Sequence, residues 1–159
     1  MKGLTLTQPY ATLLSIGVKT IETRNWSTPH RGWVAIHAAK TMPAWARELC
    51  EQDEDFFNPL LDAGYLRSGV DLPFGAIVAV ANLHRVGVIS RKPGAVYVAG
   101  RDLPVSVMDQ CYGDFTPGRF GWVFTNVRRL SEPIPCRGML GLFELPPDVL
   151  AQIKATVSP

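Results

Sequence analysis

What the chain has little of narrows its chemistry first. Its three cysteines, Cys50, Cys111 and Cys136, are odd in number and form no CxxC pair. That argues against a disulfide framework and against a cysteine zinc site, and they read as buried, reduced thiols. The three histidines, His30, His37 and His84, have no metal-ligand spacing, so no metal is expected. Glycine-rich phosphate cradles are missing, and Ser15, Ser27, Ser68, Ser90 and Ser106 do not sit in nucleophile-elbow contexts. No cofactor is implied. Nor does any apolar run approach the ~20 residues of a membrane-spanning helix. The N-terminus enters an alternating pattern without a charged segment and apolar run ahead of it, so no signal peptide and no membrane partner are expected, and the location reads as cytoplasmic.

Excess charge is also scarce. A net +2 on 159 residues is far from polybasic, and bulk charge does not point to nucleic acid. Its distribution says more. Residues 1–47 carry six Lys or Arg against the single acid Glu22, a local +5, whereas residues 48–73 carry seven acids against Arg67, a local −6. With 47% apolar residues, the chain suits one domain spanning 1–159, able to bury on the order of 70% of its unfolded surface.

Periodicity supplies the elements. Gly3–Thr7 alternates as a strand; a short helix follows, with Thr7 or Gln8 as its cap, Pro9 in its first turn and Gly17 at its end. Lys19–Asn25 reads as a second strand, with Lys19, Ile21, Thr23 and Asn25 on one face and Thr20, Glu22, Arg24 and Trp26 on the other. On that reading Lys19 and Glu22 meet only if a bulge intervenes. Ser27–Gly32 reads as a loop and Trp33–Ala38 as a third strand. Residues 41–73 form a helical insertion whose acidic run 51–55 is a solvated face or helix-end loop. Gly75–Leu83 reads as a central strand buried on both faces, Arg119–Asn126 and Gly138–Leu145 as further strands, and 147–157 as a closing helix. Residues 91–104 and 112–118 are rich in Gly and Pro and read as loops, with a short apolar piece at 95–99. Five to six short strands with few helices predict an α+β fold, a small β-barrel with peripheral helices.

Several motifs then resemble the ASCH domain family of the PUA-like superfamily. They are Gln-Pro-Tyr-Ala-Thr-Leu-Leu at 8–14; Gly17, Lys19, Glu22 and Arg24 in the spacing Gly-x-Lys-x-x-Glu-x-Arg; then Trp26, Thr28, Arg31-Gly32 and Ile36-His37-Ala38. Later pieces at 73–78, 113–122 and 135–142 resemble family strands as well. The resemblance implies a PUA-like barrel with a cleft beside the first helix that binds RNA, DNA or a nucleotide-like ligand. Some members are reported as hydrolases, acting on RNA or on acetylated cytidine. Those of the amidohydrolase type resemble this chain at Lys19, but the small polar residue they carry near position 22 is Glu22 here.

The candidate ligand-binding residues are Lys19, Glu22, Arg24, Trp26, Arg31, His37, Asp114 and Arg119, with Lys19 and Glu22 as the proton-transfer pair if the chain is an enzyme. Each has a functional and a structural reading. Lys19 is a phosphate contact, a desolvated base or a solvated lysine. Glu22 either reads a donor group or pairs with Arg24 or Arg31. Arg24 and Arg31 suit phosphate by their planar forks or are surface charges. Trp26 and Trp33 are stacking platforms or core. His37 is a ligand or a wall residue, and Asp114 and Arg119 contact ligand or order their loop. The leading functional reading is RNA binding in a basic cleft; the alternatives are a hydrolase of RNA or a modified nucleoside, and a protein-interaction module.

Overall fold

A computed structural model of the chain describes residues 1–66, 71–101 and 104–157. Ser68, with the rest of 67–70 in the expected helical insertion, and 102–103 of the expected 91–104 loop lie outside the described residues. The elements are β1 (Lys2–Leu6), α1 (Tyr10–Ser15), β2 (Ile21–Arg24), β3 (Gly32–Ala38), α2 (Ala44–Gln52), α3 (Glu54–Asp62), β4 (Ala76–Lys92), β5 (Ala95–Val98), α4 (Val107–Cys111), β6 (Phe120–Pro135), β7 (Leu142–Glu144) and α5 (Pro147–Thr156).

One seven-stranded sheet carries the molecule, in the order β2-β6-β4-β3-β1-β7, with β5 added to β4. The β1–β3 pair is parallel and the other ladders are antiparallel. Side chains of the central strands alternate between two cores. Val34, Ile36 and Ala38 of β3, with Leu4, Leu6, Ala81 and Leu83, pack under Ala11 and Leu14 of α1. Ala35, Ile77 and Val80 point the other way, toward Val149 and Ile153 of α5. Both faces are covered, which is why Ala76–Ala81 reads as unbroken apolar sequence. α1 is only 6 residues long. Its first turn is held by the buried Gln8, whose Oε1 accepts from Thr12 N at 3.1 Å and whose Nε2 donates to Thr12 Oγ1 at 2.8 Å and Pro73 O at 2.7 Å.

Two of the expected short strands are instead long, β4 with 17 residues and β6 with 16. Their shared ladder slips register between Ile77 and Ala79, Val80 and Asn82, and Leu83 and Arg85. At the middle slip Asn126 adopts a φ of 50°, a conformation asparagine tolerates better than most residues. Bulges of this kind bend a strand and increase its twist, so the sheet curls around the core beneath α1.

The curl does not close into the expected barrel. β2 and β7 end the strand order, and no ladder joins them among the described residues. β7 has 3 residues and β2 has 4, so each edge offers only a short row of groups for pairing. The free edge leading into β2 is covered by a side chain instead: the carboxylate of Asp109 on α4 accepts from Thr20 N at 2.8 Å, Thr20 Oγ1 at 2.7 Å and Ile21 N at 3.2 Å. A carboxylate that takes the outward donors of an edge prevents further strand pairing there.

Gly87 of β4 and Gly121 of β6 face each other across the ladder. The β4–β5 hairpin lies over this pair, so that a Cβ on Gly87 would stand 2.3 Å from Ala99 O and one on Gly121 would stand 2.5 Å from Val98 Cγ2. Because the obstacle at position 87 is backbone, Gly87→Ala forces the hairpin off the sheet and is expected to cost about 1–3 kcal/mol, as overpacking does. A urea titration checks it; an unchanged midpoint would refute the packing described.

Candidate functional site

The turn after α1 sets the site. Gly17 takes a φ of 81°, and Val18 N and Lys19 N both donate to Leu13 O at 3.1 Å. This fold-back puts Lys19 ahead of β2, which begins at Ile21, and the lysine belongs to neither strand face. The alternation expected for the strand itself is present: Ile21 and Thr23 are buried while Glu22 and Arg24 face outward. Lys19 therefore reaches Glu22 without a bulge.

Its side chain is 0% exposed. Nζ donates to Ile21 O at 2.7 Å and Tyr112 O at 2.5 Å, lies 3.2 Å from Glu22 Oε2, and sits 5.5 Å from the centre of the Tyr10 ring. Glu22 Oε1 in turn lies 3.2 Å from Arg24 Nε, and Arg24 Nη2 donates to Thr5 O at 2.7 Å. Side-chain exposure climbs along this row from 0% at Lys19 through 13% at Glu22 to 23% at Arg24. Lys19 has no free face for a phosphate; it anchors Glu22 from below.

Two hollows flank the row. The smaller, of about 380 Å³, lies beside the first helix and is lined by Tyr10, Glu22, Thr23, Cys111, Tyr112, Gly113 and Asp114. Burial, and after it the Glu22 carboxylate, raises the Tyr10 phenol, which stays a neutral donor; burial pushes Tyr112 up to about 12. The larger hollow, of about 1010 Å³, opens on the other side of Arg24. Three cations line it, Arg24, Lys40 and Arg137, together with Thr5, Thr7 and His37, and among the described residues no carboxylate does. Backbone bonds hold its frame: Ala39 N to Leu6 O at 2.9 Å, Gly75 N to Ala39 O at 3.3 Å and Cys136 N to Gly75 O at 3.0 Å.

His37 forms part of this wall. β3 slips register against β4 between Ile36 and His37, a local irregularity of the kind that re-aims a side chain. The ring meets Phe143 edge-on at 6.1 Å. Its Nε2 is paired with Cys136 O at 2.9 Å, while Nδ1 has no partner among the described residues. The carbonyl fixes the proton on Nε2, so Nδ1 carries a lone pair. Burial lowers the imidazole below its ordinary value of 6.5, and the bond to Cys136 O offsets only part of that.

The other candidates lie elsewhere. Trp26 packs edge-on against Trp122, centroids 4.6 Å apart, and lines neither hollow. Exposed Arg31 spends its Nη1 on Thr28 O at 2.9 Å and His30 O at 2.7 Å, tying down its own loop. Asp114 is at the rim of the smaller hollow, where Thr116 Oγ1 at 2.5 Å and Thr116 N at 3.0 Å, and then Arg119, hold its carboxyl below the usual range. Arg119 Nε lies 3.4 Å from it. Trp33 packs against the α5 core with Arg128 over its ring at 5.1 Å. The thiols correct the sequence reading: Cys50 is buried, but Cys111 is exposed and Cys136 half-buried. Sequence reasoning left out Thr5, Lys40 and Arg137, although Arg137 stands within one of the family-like motifs.

The fold is of the mixed α+β class, an open sheet with a polar hollow beside a short first helix. The chain belongs to the ASCH domain family, whose model matches residues 4–100. It is similar to activating signal cointegrator 1 of Homo sapiens, 48% identical over 48 residues, and of Mus musculus, 44% over 48 residues; the match takes in 29% of this chain and 8% of each relative. The chain thus spans a small part of the curated relatives' length. In fold it is similar to the crystal structure of the ASCH protein from Zymomonas mobilis, with a TM-score of 0.52 at 14% identity over 97% of this chain and 93% of that one. A mutant of the same protein superposes with a TM-score of 0.52 at 15% identity, covering 97% and 96%.

Lys19→Met keeps the stem and removes the ammonium, leaving Ile21 O and Tyr112 O without their donor and Glu22 with Arg24 as its remaining cation. Breaking one side of a buried pair costs on the order of 3 kcal/mol, to be read from urea unfolding; a loss too small to resolve would mean the three acceptors do not depend on Lys19. For His37 the folded value lies below the unfolded one, so stability is complete above about pH 6.5 and declines as pH falls toward the folded value. His37→Gln, whose amide can still donate to Cys136 O, should flatten that part of the stability–pH curve; an unaltered curve would assign the dependence elsewhere.

Proposed function

We propose that the chain binds RNA, or a nucleotide-like anion, in the larger hollow. The observation that carries this reading is the gathering of Arg24, Lys40 and Arg137 around one concavity with no carboxylate on its walls among the described residues. The family, generally thought to bind RNA, supports it independently. A charge total of +2 understates this cleft, because none of the acids of residues 48–73 is among its described lining residues. Arginine forks suit phosphate, and Arg24 is held in place by Glu22 and by Thr5 O, so it meets a ligand with little conformational freedom left to lose. Glu22 and Lys19 act here by orienting Arg24. DNA shares the phosphate chemistry and is the nearest alternative ligand.

A second reading is hydrolysis of RNA or of an acylated nucleoside in the smaller hollow. It is favoured by the partly exposed Glu22 carboxylate, backed by Lys19 and facing the same space as Tyr10 and Cys111. Incubation of RNA and acylated nucleosides with wild type and Glu22→Gln tests it, and turnover equal in the two would remove it.

For the binding reading, fluorescence anisotropy with a short single-stranded RNA across a salt series is the direct test. Affinity should fall as salt rises, and Lys40→Ala and Arg137→Ala should each lower the log–log slope by about 0.7 for a lost phosphate contact. Salt-independent binding, or slopes identical to wild type in both variants, would sink the assignment of this cleft.

A further inference from the structure

The cationic cleft has apolar residues as well. Phe74, Met139 and Leu140 line the same hollow as Arg24, Lys40 and Arg137. Leu140 is 99% exposed and Met139 is 52% exposed. A single exposed leucine means nothing by itself. Here, however, the loop that carries it is pinned at its base. Thr5 Oγ1 donates to Met139 O at 3.2 Å, and Cys136 O is bonded to His37. Gly138 lies so close to the His37 ring that a Cβ there would stand 2.4 Å from Cε1. A loop held this way keeps its two apolar side chains at the lip of the cleft, where they satisfy no core.

We infer that the Met139–Leu140 tip is a wedge against an unstacked base, so that the preferred ligand is a nucleic-acid strand with an unpaired base rather than a continuous duplex. This rests on the reading of the cleft as an RNA site. Phosphates meet Arg24, Lys40 and Arg137 by charge; a base, which is apolar on its faces, meets Leu140 and the Phe74 side of the hollow. In a continuous duplex those faces are covered by neighbouring pairs, and an apolar side chain reaches them only by unstacking a step, which costs a few kcal/mol. A strand whose bases are already free avoids that cost.

The test uses the full chain, a 12-nucleotide single-stranded RNA carrying one 2-aminopurine, the same sequence as a duplex, and vesicles containing phosphatidylserine. Wild type should bind the single strand about tenfold tighter than the duplex and change the 2-aminopurine fluorescence. Leu140→Ser should weaken single-strand binding about fivefold, abolish most of the fluorescence change and leave the salt slope as it was, while Leu140→Phe should restore both readouts. Arg137→Ala should show the opposite pattern, a lower slope with the fluorescence change retained. Equal affinity for strand and duplex, or indifference to Leu140→Ser with wild-type RNA binding intact, overturns the wedge alone. Absence of any RNA binding by wild type overturns the reading of the cleft along with it. Vesicle binding that depends on Leu140 where RNA binding does not would reassign the tip to a lipid surface.

Discussion

An ammonium group shut away from water must be met by acceptors on several sides, and the burial of Lys19 imposes that condition on two parts of the chain, β2 and the segment after α4. The acceptors come from the start of β2 (Ile21 O), from the segment after α4 (Tyr112 O) and from Glu22, with the Tyr10 ring of α1 nearby. Any displacement of α1, β2 or the 112–114 segment relative to the others leaves charge or carbonyl oxygen unpaired at low dielectric. This fully buried charge thereby fixes where Glu22 and, through it, Arg24 stand. Asp109 acts beside it in the same sense, holding the edge at Thr20 and Ile21 from the side of α4.

From this anchor the charges divide. Glu22 shows one oxygen to Lys19 and the other to Arg24, and the two hollows lie on either side of that link. The smaller has carboxylates on its wall, Glu22 and Asp114, whereas the charged groups on the larger are, among the described residues, Arg24, Lys40 and Arg137. One ion-paired row therefore separates a hollow suited to donors from a hollow suited to anions. His37 completes the second wall through an irregularity in β3, and the residue that covers its ring, Gly138, is one whose missing side chain makes room for it.

Much of this was visible in the order of residues. The alternation of Ile21 and Thr23 against Glu22 and Arg24, the buried run at Ala76–Ala81, the position of the first helix and the family itself follow from local periodicity and motif spacing. Each is a property of backbone geometry over a few residues. The extension of β4 and β6 past Leu83 and Asn126 was not visible, because sequence with mixed polarity becomes strand only when a neighbouring strand takes up its hydrogen bonds. The barrel inference failed for a related reason: curvature can be guessed from many short strands, but closure depends on whether the last edges are long enough and free to pair.

By itself, then, the sequence determined the two-sided strand that carries Glu22 and Arg24, the cation-rich opening third and membership of the ASCH family. Only the tertiary structure decided that Lys19 is sealed inside, that Trp26 packs on Trp122, and that Lys40 and Arg137, nearly a hundred positions apart in the chain, share a cleft with Arg24. The reason is one of range. A residue's face is set by the dihedral repeat of its own element, whereas its solvent exposure and its neighbours are set by which distant segments the sheet brings alongside it.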